Sequence, residues 1–135
     1  METTKIAIFK NKKIRRLIHH NEWYFVIVDV ISALTDSVQP DGYIKDMRRR
    51  DTELSKGWVQ IATPLLIKTL GGPQKMNCAN TEGIFRIIQS IPSPKAEPFK
   101  RWLAKVGGKI AGDARQKLEL ETKKKVIKAN NYKLR

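Results

Sequence analysis

The hydrophobic period changes at Val26, and that change limits the fold more than any other feature of the chain. Before it, residues 5–9 (KIAIF) and 14–18 (IRRLI) flank Asn11-Lys12-Lys13 in the pattern of a β-hairpin. Trp23-Tyr24-Phe25 offers a third strand. After it, Ile27, Val30, Ile31 and Leu34 recur at i, i+3, i+4 and i+7, which is one face of a helix. Strands followed by amphipathic helices point to an α+β fold. The expected architecture is a small N-terminal hairpin or three-stranded sheet with about four helices.

The second helix follows a turn at residues 37–42 (SVQPDG), where Pro40 suits the first helical position. Tyr43, Ile44 and Met47 face inward on this reading. Lys45, Arg48 and Arg49 fall together on an outward face, with Arg50 next to them. Residues 58–67 (WVQIATPLLI) are apolar around Pro64 and fit either an edge strand or a loop. Gly71-Gly72-Pro73 marks a turn. Asn80 has the character of an N-cap, with Glu82 in the favourable first turn. Ile84, Ile87, Ile88 and Ile91 form the buried face of the helix it starts. Pro92-Ser93-Pro94 stops that helix and begins another, with Ala96, Phe99, Leu103 and Val106 inward and Lys100, Arg101 and Lys105 outward. Pro98, about one turn in, is expected to delete one backbone hydrogen bond. Gly107-Gly108 fits the helix end.

Beyond Gly108 aromatics nearly vanish and lysines crowd in. Residues 1–107 hold 18 basic and 10 acidic side chains, and residues 108–135 hold 9 and 3. The expected organisation is therefore a domain over 1–107 and a basic tail over 108–135, with a short helix at 113–122. The whole chain of 135 residues has a formal net charge of +14. Such a charge draws a protein to polyanions. Nucleic acid is the first candidate partner, an acidic protein surface the second, and anionic membrane the weakest, because no apolar run reaches spanning length. The first residues lack the apolar core of a secretory signal, and the single Cys78 suits a reducing compartment; the expectation is a cytoplasmic protein.

Three basic constellations stand out. The first is the helix pair over 27–50, since a recognition helix needs one apolar face to dock and one basic face for the groove. An ordinary amphipathic helix gives the same pattern, and Asp41, Asp46 and Asp51 temper the charge. The second is Arg86 with Lys95, Lys100, Arg101 and Lys105, beside Trp102, which either stacks on a base or joins the core. The third is the tail, where Lys123, Lys124, Lys125, Lys128, Lys133 and Arg135 can neutralise phosphates or simply solubilise the terminus.

Catalytic signals are weak. His19 and His20 are adjacent, so on a strand they would point to opposite faces and share no metal. Cys78 has no histidine near it in sequence. Gly71-Gly72-Pro73 lacks the lysine of a phosphate loop. Glu119, Glu121 and Lys123 carry nuclease-like residue types without a strand to hold them rigid. No enzyme, no metal and no cofactor is expected.

Three segments carry a family resemblance: residues 23–36 (WYFVIVDVISALTD), 77–90 (NCANTEGIFRIIQS) and 91–107 (IPSPKAEPFKRWLAKVG). In order and spacing they resemble the Bro-N domain, the N-terminal domain of baculovirus repeated-ORF proteins and prophage antirepressors. The bacterial branch described as phage antirepressor or DNA-damage-inducible protein D looks most similar. The resemblance covers about residues 5–107. It implies a small α+β DNA-binding domain in phage, prophage or mobile-element proteins, and it transfers no catalytic residue. The tail resembles the C-terminus of longer bacterial members, whose helical middle region is missing here. The expected function is a DNA-binding regulatory module of antirepressor type. The alternative is a protein-binding antirepressor that engages an acidic partner such as a repressor. A trimmed remnant that folds without acting is the bland third reading.

Overall fold

The computed structural model describes residues 3–108. Expectations about the tail, including its helix, its lysines and the Glu119–Glu121–Lys123 trio, lie outside the described residues. The fold is α+β, with five strands and five helices among the described residues. The elements are β1 (Lys5–Phe9), β2 (Lys12–His19), β3 (Glu22–Val26), α1 (Ile27–Thr35), α2 (Pro40–Arg50), α3 (Thr52–Ile61), β4 (Thr63–Thr69), β5 (Gly72–Asn80), α4 (Thr81–Gln89) and α5 (Ala96–Val106).

The strands form one antiparallel sheet in the order β1-β2-β3-β5-β4. Its first two turns each use two residues at positive φ: Lys10 and Asn11 at 45° and 68°, His20 and Asn21 at 52° and 63°. Positive φ at both turn positions matches the twist of the flanking strands, and Asn tolerates it well. The first turn is thus one step earlier than expected, and Lys12 and Lys13 belong to β2.

Alternation divides the buried residues between the two sheet faces. Phe9, Ile14 and Phe25 pack with α1, α4 and α5 in the larger core, against Ile31, Leu34, Ile84, Ile87, Phe99 and Leu103. Leu17, Val26, Leu65, Ile67 and Cys78 form a second, smaller core. The chain just before β1 reaches β4, the outer strand at the other end of the sheet, since the Lys68 amide donates to Thr4 Oγ1 at 3.0 Å. Cys78 lies in the second core with its thiol directed at the Met76 carbonyl, and burial pushes its pKa up to about 12. It is a packed apolar residue rather than a nucleophile.

Residues 58–67, ambiguous in the sequence, split between two elements. Trp58 is buried in α3, while Pro64 sits on β4, an outer strand where a missing N–H does no harm. The strand and helix counts are correspondingly higher than expected. Two further expectations need correction. Pro98 is the third residue of α5, where backbone N–H groups have no partner within the helix anyway, so it removes no hydrogen bond. His19 and His20 do not diverge: His20 leaves the strand at positive φ, and the two rings stack with centroids 3.9 Å apart.

Two polar contacts fix the helices. Arg15 grips Asp29 of α1 through its Nε and a terminal nitrogen, each at 2.8 Å, and its backbone N–H adds a third bond at 2.9 Å. The end of α5 is stitched down twice: the Arg16 guanidinium donates to the Val106 carbonyl at 2.6 Å, and Thr81 Oγ1 donates to the Gly107 carbonyl at 3.0 Å. Arg16 also lies 3.8 Å over the Trp23 ring. A Cβ at Gly107 would sit 2.5 Å from Thr81 Oγ1, so glycine is required there for close approach. The change of texture at Gly107 therefore coincides with a tied-down helix end.

Candidate nucleic-acid interface

The helix pair expected over 27–50 is present. Helix α1 buries Ile27, Val30, Ile31 and Leu34, the residues its spacing predicts. Asp36 ends it in the left-handed region at φ 58°, and its N–H returns to the Ser32 carbonyl at 2.8 Å. Three more residues lead to Pro40, which opens α2. Met47 is buried, and Tyr43 and Ile44 pack against the larger core. The two helices pack against each other across this short turn.

On α2, Lys45, Arg49 and Arg50 are exposed. Arg49 reaches Asp46 at 3.1 Å, but both side chains are more than half exposed. A surface pair of this kind contributes little, so a phosphate can displace it. Arg48 departs from the expected outward face. It lies over the Trp58 ring, 4.9 Å from its centroid, with Nε buried. The physical reason is α3, unforeseen in the sequence, which brings Trp58 against this side of α2.

The second basic group is redistributed by ion pairing. Arg86 is committed to Asp51 at 3.3 Å and to Ser90 Oγ at 3.0 Å. Lys95 pairs with Asp36 at 2.7 Å, and Lys100 pairs with Glu97 at 3.0 Å. Arg101 and Lys105 are exposed and have no ion pair among the described residues. Trp102 is partly buried and packs against the core, edge-on to Phe9 at 5.6 Å and tilted against Phe99 at 5.0 Å.

Asp36 draws separate elements together. Besides Lys95 it binds Lys12 at 3.4 Å. Lys95 and then Lys12 hold its carboxyl below the usual carboxylate range. The turn between α1 and α2, the tip of the β1–β2 hairpin and the start of α5 therefore meet at one carboxylate. Ser93 Oγ reinforces the contact by donating to the Leu34 carbonyl at 2.6 Å. Lys10, Lys12 and Lys13 are exposed at this hairpin tip. Lys12 and Lys13 were expected in the turn and none of the three was given a role, although three lysines within four residues were a visible signal.

Asp51 is the structural counterpart of this hub. It caps α3 by accepting from the Leu54 amide at 3.0 Å, accepts from the Ser90 hydroxyl, and holds Arg86. The Ser90 bond, then the Leu54 amide and the guanidinium, lower its pKa to about 2. A carboxylate with a lowered folded-state pKa stabilises fully above its unfolded value, about 3.9, and loses that contribution as pH falls towards 2. In acid unfolding followed by circular dichroism, Asp51→Asn should be less stable than the parent at pH 6. The gap should close between about pH 4 and pH 2. A gap that stays constant to pH 2 would show that the carboxylate charge plays no part.

Among the described residues, no group of three or more His, Cys, Asp or Glu side chains is placed to hold a metal ion, and no helix is long and apolar enough to cross a membrane. Neither the curated proteins nor the solved structures contain a match to the chain. The family model described as BRO family, N-terminal domain, matches residues 13–106. That span runs from the second residue of β2 to the last residue of α5, and so includes the helix pair, the β4–β5 hairpin and both carboxylate hubs. It also covers well over half of the sequence, and on that ground the chain belongs to the BRO family through its N-terminal domain.

Proposed function

We propose that the chain is a duplex-DNA-binding regulatory module of the phage or prophage antirepressor type, without catalytic activity. The observation that carries this reading is the α1–α2 pair inside a BRO N-terminal domain, with Arg49 and Arg50 exposed on the second helix. Helix α2 is the element suited to a groove. Lys45, Lys100, Arg101 and Lys105, with the lysines of the hairpin tip, are suited to phosphate contacts that fix orientation without reading sequence. Lys95 and Lys100 are paired only at the surface, so phosphates can compete for them. Arg86 is left out of the proposed contacts, because its charge is already used by Asp51.

The test is fluorescence anisotropy with a labelled duplex and the full chain across a salt series. Log affinity should fall linearly with log salt, by about 0.9 for each phosphate neutralised. No binding at about 50 mM salt, or binding indifferent to salt, would sink the proposal. One observation favours a protein partner as the second reading. Ile6 and Ile8 are about half exposed on β1, an outer strand, and an apolar pair there suits a protein surface better than a phosphate backbone. Recovery of one stoichiometric acidic protein after nuclease treatment would favour it.

A further inference from the structure

A cavity of about 500 Å³ lies between α2, α3 and β5. Ile27, Ile44, Trp58 and Met76 give it an apolar wall. Three cations line it, Lys45 and Arg48 from α2 and Lys75 from β5, against a single carboxylate, Asp41. None of the three cations has an ion pair or side-chain hydrogen bond among the described residues, and the Nε of Arg48 is buried with no partner. Of the other half-buried arginines, Arg15 and Arg86 are each matched to a carboxylate, while Arg16, like Arg48, lies over a tryptophan ring with a buried Nε but donates to the Val106 carbonyl.

This combination has a chemical reading. Three like charges around one concavity repel each other unless an anion joins them. A buried N–H without an acceptor is unfavourable in its own right. Trp58 holds the Arg48 guanidinium by its ring face, which fixes the planar fork in place before any ligand arrives. A fixed guanidinium flanked by two ammonium groups is a donor set for phosphate, and guanidinium binds phosphate oxygens two at a time. The apolar wall leaves room for more than the anion itself. Gln74 and Asn77 add neutral hydrogen-bonding groups to the lining.

We propose that this cavity binds the phosphate group of a phosphate ester, with Arg48 as its main ligand and Lys45 and Lys75 completing the charge. The phosphate has two possible sources, a free mononucleotide or the backbone of bound DNA. The inference goes beyond the DNA-binding reading and stands without it when the phosphate is free. Lys75 separates the two, because it is exposed on a strand and has no part in the proposed groove contacts.

The experiment is a nitrogen-15 NMR titration of the full chain with inorganic phosphate and with deoxyadenosine monophosphate, following the Arg48 Nε–H and Trp58 indole resonances. Duplex binding by Lys75→Gln is measured in parallel. A free ligand is indicated if both resonances move on titration and Lys75→Gln weakens the response about tenfold, with duplex affinity unchanged. A backbone phosphate is indicated if the small molecules do nothing while Lys75→Gln lowers the salt slope of duplex binding by about one. The proposal is overturned if neither arm responds to Lys75→Gln, or if the resonances move equally in Lys75→Gln and the parent. Because Lys75 is exposed, Lys75→Gln keeps the test decisive even if Arg48→Gln does not fold. Loss of duplex binding alone, with the phosphate response intact, would count against the DNA reading and leave this site standing.

Discussion

Phe99→Ala is expected to lower the unfolding free energy by about 3–5 kcal/mol. Phe99 is fully buried on α5 and packs edge-on to Phe9 of β1, with ring centroids 4.8 Å apart. It also touches the Trp102 ring, 5.0 Å away. The three rings join α5 to the first strand, so truncation removes both the transferred area and the aromatic contact that seats the helix. Collapse of the surroundings is limited, because Phe9 is anchored in a paired strand and the end of α5 is held by Arg16 and Thr81. Urea unfolding of the full chain is the measurement. A loss below about 1 kcal/mol would mean that α5 contributes little to the core. Since Arg101 and Lys105 ride on this helix, the variant should also bind duplex more weakly wherever the helix has come loose.

The elements read most easily from the sequence are those with a broad apolar stripe. Helix α1 buries residues at i, i+3, i+4 and i+7, α4 buries Ile84, Ile87 and Ile88, and α5 buries Phe99 and Leu103 with Ala96 and Val106 partly buried beside them; the cap at Asn80 is visible as a residue type, and its side chain accepts from the Gly83 amide at 2.8 Å. Helix α3 was hidden because its core-facing residues, Leu54, Trp58 and Ile61, run without a break into the apolar stretch of β4 around Pro64. Asp51 three residues before Leu54 was the one local clue, as an N-cap. In β4, Leu65 and Ile67 are buried while Pro64 and Leu66 are exposed, but all four are apolar or nearly so, and the alternation vanishes from the text. The second core followed from that loss, since Leu65 and Ile67 supply much of it.

The site was legible as a list of cations and illegible as an arrangement. Helical spacing correctly placed Lys45 and Arg49 on the exposed side of α2. It could not show that Arg48 would turn onto Trp58, ten residues further on, because that contact needs the hidden helix. Arg86 looked like part of a basic face until Asp51, 35 residues away, took its charge. Local periodicity reports which way a side chain leaves its own element. Which charge is neutralised depends on neighbours brought in by the fold.

Replacing Arg49, Arg50, Arg101 and Lys105 together by glutamine should reduce duplex affinity by about three orders of magnitude at roughly 100 mM salt, and should lower the log–log salt slope by about 3.6. These four are exposed cations of α2 and α5 that do not line the cavity. Three have no ion pair among the described residues, and Arg49 has only its surface contact with Asp46. Each change should alter stability by no more than about 0.5 kcal/mol, so lost binding would not reflect unfolding. The necessary comparison is Lys123, Lys124 and Lys125 replaced in the same way, because the basic tail alone can hold a polyanion without recognising it. If the helices form the interface, the four-residue variant loses binding to all duplexes and the tail variant loses only about three contacts' worth of slope, with any sequence preference kept. If the tail variant abolishes binding while the helical variant retains it, then attraction to DNA belongs to the tail. Helix α2 would then be an ordinary amphipathic helix whose charges face water.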